Sequence, residues 1–335
     1  MAVADDPFTL FHGDGKVHPR ERFPPAPPWR LFDAEPIERP PAINPPRTRP
    51  PFLVDEPEID LVNAALHLRR PLLITGKPGV GKSSLIHAVA HELQLGEVLV
   101  WPINTRSTLE AGLYRYDAIG RLQEENLRKE RGQTVTKDDG DEVLGKYIKL
   151  GPLGTAFLPS NRPRALLIDE IDKSDIDLPN DLLNIFEEGS FEIPVLSRVS
   201  DFWPTVRVQA FDGKDKVPVS EGRVAVREFP FIVMTSNGER DFPQPFLRRC
   251  IRMQIEPPGF KRLADIVEAH LPESGETAKA LIDDFLRLLG ERDLATDQLL
   301  NAVFLATSIP IDLGAKTREK LRESLFQSLS GHGNR

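Results

Sequence analysis

A parallel β-sheet covered by helices on both faces, followed by a smaller all-helical domain, is the architecture this sequence predicts. Three observations place it in the α/β class. Short apolar runs alternate with helical segments between residues 71 and 255; a glycine-rich turn joins the first run directly to a helix; and beyond Pro257-Pro-Gly259 the apolar spacing is helical throughout. The chain has 335 residues, 40% apolar and 28% charged, enough for two domains with a real core.

Residues 1–50 come first and are crowded with proline (Pro24-Pro-Ala-Pro-Pro28, Pro40-Pro41, Pro45-Pro46), which blocks helix and sheet ladders. A flexible tail is expected there, with Trp29, Leu31 and Phe32 as the residues able to anchor it to the body. From Glu56 to Leu68 the apolar spacing predicts a helix leading into the α/β core, which spans 51–257. The first core strand is Pro71-Leu-Leu-Ile-Thr75, followed by the turn Gly76, Lys77, Pro78, Gly79, Val80, Gly81, Lys82, Ser83, with Ser84 opening a helix that runs to His91. Further strands are predicted at Val98–Trp101, Ala165–Ile168, Phe231–Met234 and Cys250–Ile255. Two insertions interrupt the series, at about 104–150 and 191–228. The first holds a charged helical stretch, Arg121–Glu130, read as a solvated face. The second alternates apolar and polar residues (Thr205–Phe211), turns at Asp212-Gly213 and returns at Val217-Pro-Val219, a hairpin signal, with Arg223–Arg227 as a candidate third strand extending it. Residues 258–335 then predict helices at Phe260–His270, Thr277–Gly290, Thr296–Ser308 and Ala315–Ser330, with Thr296 as an N-cap.

The turn at 76–83 matches G-x-x-x-x-G-K-[ST] without a break, and the strand before it and the helix after it supply the context that pattern needs. Its glycines let backbone N–H groups and the helix N-terminus face the phosphates of a nucleoside triphosphate. Lys82 adds a positive charge and Ser83 a hydroxyl for Mg²⁺. At the end of the third core strand, Leu166-Leu-Ile-Asp-Glu170 brings two adjacent carboxylates to the same edge. Asp169 is placed to hold Mg²⁺ and Glu170 to deprotonate an attacking water, a pairing that implies hydrolysis. Asp172 reads only as a helix-start acid. The strand Phe231–Met234 ends at Asn237, an amide able to hydrogen-bond the γ-phosphate and the attacking water.

Taken in this order, with Phe242-Pro-Gln-Pro-Phe-Leu-Arg-Arg-Cys250, Leu113–Leu122, Gly151-Pro-Leu-Gly154 and Thr235–Arg240, the motifs resemble those of the AAA+ ATPases, and among them the MoxR-like group. The resemblance covers roughly residues 52–310 and leaves out the proline-rich region. It implies a P-loop NTPase core with a helical lid, ATP as the substrate, and Asn237 as the first sensor. It also implies an arginine finger that completes the neighbouring subunit's site, Arg249 with Arg248 as the alternative, and hence activity that depends on assembly. By the same resemblance the chain is expected to be a ring-forming, hexameric remodelling chaperone acting on a protein client, beside a separately encoded von Willebrand A-domain protein. The two insertions fall where that group has its own. One departure is plain: Thr296-Asp-Gln-Leu-Leu300 lacks the second-sensor arginine of the family, and Arg292 is the nearest candidate.

Other features narrow the field. No stretch approaches the roughly 18 consecutive apolar residues of a membrane span. The N-terminus shows neither a basic nor an apolar signal region, so the cytoplasm is expected. The lone Cys250 excludes an internal disulfide or a cysteine-based zinc cluster and reads as a small apolar strand residue. A net charge of −8 disfavours a nucleic-acid motor and favours protein partners. The competing functional class is an ATP-controlled switch or scaffold with slow turnover in a signalling or defence complex.

Overall fold

In a computed structural model, residues 7–18, 23–32, 34, 52–132, 136, 139–213, 216–272, 274–289, 294–308 and 326 are described. Eleven strands occur among them: β1 (Leu72–Gly76), β2 (Leu99–Pro102), β3 (Tyr114–Tyr116), β4 (Ile148–Leu150), β5 (Ala165–Asp169), β6 (Ser190–Glu192), β7 (Thr205–Gln209), β8 (Lys216–Ser220), β9 (Arg223–Ala225), β10 (Phe231–Ser236) and β11 (Ile251–Ile255). The five strands expected for the core form one sheet in the order β11-β1-β10-β5-β2, parallel throughout. Its inner strands are apolar on both faces because both faces are covered. Alternate residues serve the two sides. Leu72, Ile74, Phe231 and Val233 pack with Leu85, Ile86 and Val89 of the helix Lys82–Glu92. Leu73, Leu166, Ile168, Ile232 and Met234 pack on the other face with Leu182 and Phe186 of the helix Leu178–Glu188. At the edge, β11 turns polar, with Arg252 and Gln254 exposed, as an unpaired sheet margin requires. Cys250 is buried just before it.

The insertions differ from expectation in one respect. The hairpin forms as read, β7 against β8 from Thr205↔Ser220 to Gln209↔Lys216, and β9 extends it. However, β3, β4 and β6 add three unforeseen strands, and Lys149↔Gln209 joins the two insertions into one six-stranded sheet, β3-β4-β7-β8-β9-β6. The charged helix Ala118–Glu130 buries no residue, which matches its reading as a solvated element.

The described parts of the N-terminal region are packed on the body, and one of the three expected anchors takes part. Trp29 and Leu31 are exposed; of the three anchors proposed from sequence, only Phe32 packs, stacked on Phe229 at 5.6 Å. The buried residues are Leu10, Phe11 and Arg30. Asn63 fixes the first two, accepting from both their N–H groups at 2.9 Å and donating to the Phe11 carbonyl at 2.9 Å. Arg30 donates to the carbonyls of Phe186 and Arg69 and lies over the Phe229 ring at 4.7 Å. A fully buried phenylalanine cut to alanine costs about 3–5 kcal/mol. Phe11→Ala is therefore expected to lower the stability of the core by about that amount, read as a shifted urea midpoint at unchanged slope. An unshifted midpoint would mean that the segment does not dock in solution.

Three helices of the C-terminal domain are described, Phe260–His270, Gly275–Leu289 and Thr296–Ser308, around Leu263, Val267, Ile282, Phe285, Leu299, Val303 and Phe326. Thr296 is the first helical residue rather than the cap, and Gln298 Oε1 takes up the N–H of Ala295 at 2.8 Å. The expected helix Ala315–Ser330 lies outside the described residues except Phe326, and Arg292 lies outside them too.

Candidate functional site

The parallel sheet delivers its chemistry to one edge. β1 ends at Gly76, β5 at Asp169 and β10 at Ser236, so the phosphate-loop pattern, the carboxylate pair and Asn237 meet above the same strand ends. Gly81 adopts φ 95° and Gly79 φ 77°, left-handed conformations open to glycine, and they curl the turn before the helix begins at Lys82.

Lys82 is buried and uses all three of its ammonium hydrogens. They go to the carbonyls of Gly76 (2.7 Å) and Lys77 (2.8 Å) and to Asn237 Oδ1 (2.8 Å). Burial lowers its pKa, and the negative charges of Asp172, Asp169 and Glu170 oppose that shift. Ser83 Oγ donates to Asp169 Oδ1 at 2.8 Å, so the two proposed Mg²⁺ ligands already touch. Their donor set is oxygen alone, which suits a small hard cation that keeps several waters. Glu170 stands at φ 60°, ψ 50°, rare for a residue with a side chain and the kind of backbone strain that gathers at working sites. Its N–H donates to Thr235 Oγ1 at 2.9 Å, which in turn donates to Asp169 Oδ1 at 2.6 Å. The Glu170 carboxylate lies 3.4 Å from Asn237 Nδ2 and pairs with Lys173 at 2.8 Å.

Two contributors escaped the sequence reading. Thr235 was quoted only within a motif, yet it ties both carboxylate residues to β10. Asp172 does lie in the first turn of a short helix, Ile171–Lys173, but it is buried and does more: its Oδ2 accepts from the N–H groups of Asn237 (2.9 Å) and Glu239 (3.2 Å), and so fixes the turn that presents Asn237. Its place two residues after Glu170 was the only available signal.

Beside the turn, a cleft of about 180 Å³ opens between core and C-terminal helices, with Phe52, Leu53, Val80, Pro258, Ile266 and Leu300 among its walls. A flat apolar base fits such walls. The C-terminal domain touches the turn directly. Thr296 N–H donates to the Gly79 carbonyl at 3.2 Å, and a side-chain carbon built on Gly79 would lie 2.0 Å from the Ala295 methyl.

Arg248 and Arg249 lie elsewhere. Arg249 donates to Glu187 Oε1 (2.9 Å) and the Pro245 carbonyl (3.2 Å), whereas the Arg248 side chain is exposed. Among the described residues neither side chain bonds to Lys82, Ser83, Asp169 or Glu170 of its own chain.

The model of the AAA domain, dynein-related subfamily, matches residues 71–250, just over half the chain and the stretch that carries every group above. The chain belongs to this AAA family. It thus carries an AAA+ nucleotide-binding domain on a parallel α/β core. No curated protein matches the sequence. Among solved structures, the AAA chain is similar to NtrX from Brucella abortus in complex with ADP, at 15% identity and a TM-score of 0.39, over 75% of this chain and 49% of that one. It spans about half the length of NtrX. No helix among the described residues is long and apolar enough to cross a membrane.

Proposed function

We infer that this AAA protein hydrolyses ATP, and that it does so only when a second copy completes the site. The observation that carries this reading is the continuous hydrogen-bonded set Lys82, Asn237, Glu170, Thr235, Asp169 and Ser83 at one sheet edge, with Arg248 and Arg249 outside it. ATP lies with its base in the cleft between Val80 and Leu300 and its phosphates on the turn 76–83. Ser83 and Asp169 would hold Mg²⁺, which would supply neutralisation of phosphate charge. Lys82 releases the Gly76 and Lys77 carbonyls and moves its charge onto the phosphates. Glu170, freed from Lys173, accepts a proton from water that Asn237 orients. Arg249 from the neighbouring copy, or Arg248, stabilises charge on the transferred phosphoryl group.

On the resemblance to MoxR-like proteins, the assembly is a hexameric ring in the cytoplasm that remodels a protein client, with a von Willebrand A-domain protein as partner. The sheet built from both insertions offers the surface through which motion reaches the client. A second reading, an ATP-controlled switch with slow turnover, is favoured by the 2.8 Å pair of Glu170 with Lys173, which occupies the base.

Glu170→Gln is expected to keep ATP affinity and lose about 10²–10⁴-fold in turnover, since that is what a positioned general base contributes. ATP should hold this variant in the assembled state, read as mass by light scattering after size exclusion. Turnover equal to the parent's would remove Glu170 from the mechanism. Parent turnover that stays near the variant's at saturating subunit concentration would favour the switch.

A further inference from the structure

The segment His12 to His18 folds over the far end of the helix Lys82–Glu92, and its polar groups converge on one carboxylate. Glu92 is fully buried. The N–H groups of His12 and Gly13 point at its two oxygens, Gly13 at 3.1 Å, and the His18 N–H donates to its main-chain carbonyl at 2.8 Å. Amide dipoles alone are a poor match for a buried negative charge, which needs a cation or a proton. Among the described residues, no lysine or arginine forms an ion pair with Glu92; its ion-pair partner is His12.

The imidazole geometry suits an ion as well as a hydrogen bond. His12 Nδ1 lies 3.3 Å from Glu92 Oε1, at the long end of N–H···O distances. That distance is the edge of a zinc tetrahedron, where bonds of about 2.0–2.2 Å set neighbouring ligands roughly 3.3–3.5 Å apart. The His12 and His18 rings have centroids 4.2 Å apart, and one ligand atom from each of His12, His18 and Glu92 falls within 4.8 Å of the others. Asp14 Oδ1 lies 3.0 Å from His18 Nε2, an orienting carboxylate of the kind that accompanies metal-bound histidines. Gly13 and Gly15, at φ 71° and 70°, let the loop turn this tightly on either side of Asp14. Two imidazoles and a carboxylate select a zinc-like ion over magnesium or calcium.

We propose that His12, His18 and Glu92 bind one divalent transition-metal ion of the Zn²⁺ class, which clamps the N-terminal segment to the helix whose first turn carries Lys82 and Ser83. The site is separate from the nucleotide site and stands whether or not the chain hydrolyses ATP.

The test uses the full chain, stripped with a chelator, free of nucleotide and kept in excess Mg²⁺ so that oxygen-only sites are filled. Zn²⁺ is titrated by calorimetry and Co²⁺ by visible absorption, for the parent, His12→Ala, His18→Ala and Glu92→Gln. The parent is expected to bind one equivalent of Zn²⁺, to melt at a higher temperature with it, and to give Co²⁺ the intense visible bands of tetrahedral coordination. Each histidine variant should lose at least about 10–100-fold in Zn²⁺ affinity, no less than an outer-shell change costs, together with the Co²⁺ bands. Removing either imidazole leaves the backbone N–H contacts of His12, Gly13 and His18 with Glu92 in place, and metal-free melting curves check that the fold is kept. Absence of stoichiometric binding by the parent, or undiminished affinity in His18→Ala, would overturn the proposal.

Discussion

Arg249→Ala subunits are expected to hydrolyse ATP about 10³–10⁵-fold more slowly than the parent, the span an arginine finger contributes to phosphoryl transfer, and to regain activity when mixed with Glu170→Gln subunits. The two variants fail for different reasons: one lacks the base in its own site, and the other lacks the group it lends. In a mixed ring, a Glu170 from an Arg249→Ala copy can face an Arg249 from a Glu170→Gln copy. With equal, random mixing, roughly a quarter of head-to-tail interfaces pair intact partners. The geometry that motivates the experiment is the position of Arg249 on the surface, 42% exposed and held by Glu187 rather than by its own phosphate turn. An exposed pair of this kind adds little stability, so the substitution should leave the fold intact. Arg248→Ala separates the two candidates, because only the true finger shows both the loss and the rescue. If neither variant loses activity, or no rescue follows proven mixing, delivery between subunits is wrong.

Lys82→Ala should weaken ATP binding on the order of 10²–10³-fold, the cost of removing one member of a buried, hydrogen-bonded charge pair. The ammonium is poised for that role: burial disfavours its charge, and the negative charges of Asp172, Asp169 and Glu170 oppose that shift. Triphosphate oxygens are a stronger partner than the three neutral oxygens it now contacts. A melting experiment separates binding from folding. ATP should raise the parent's melting temperature and leave that of the variant unchanged, while the two nucleotide-free curves stay close. Fluorescent-nucleotide affinity within threefold of the parent would place the phosphates elsewhere.

Four of the five core strands were legible because each is a continuous apolar run between turn signals, β11 because it alternates apolar and polar residues, and the phosphate turn because its eight residues carry their own grammar. The order of those strands is a long-range property, and the short strands Tyr114–Tyr116, Ile148–Leu150 and Ser190–Glu192 are too brief to show a period. The same reason hid the joining of the insertions, which depends on close passage at Gly145, where any side chain would strike the Arg207 carbonyl. Leu10 and Phe11 are two apolar residues in a stretch dominated by proline and charge, so Trp29 looked the better anchor. Asp172 could be placed near the edge but not oriented; its role rests on two backbone N–H groups from the turn after β10, at sequence separations of 65 and 67. Glu170 was named for its chemistry, yet nothing in its neighbours announces the left-handed backbone that aims it.

The bond from Thr296 to Gly79 gives the phosphate turn a mechanical output. The helix Thr296–Ser308 is about 20 Å long and rests on that turn by its first residue. Any displacement of Gly79 would press on Ala295 and on the first residue of that helix, so the turn and the C-terminal helices would feel each other's movement.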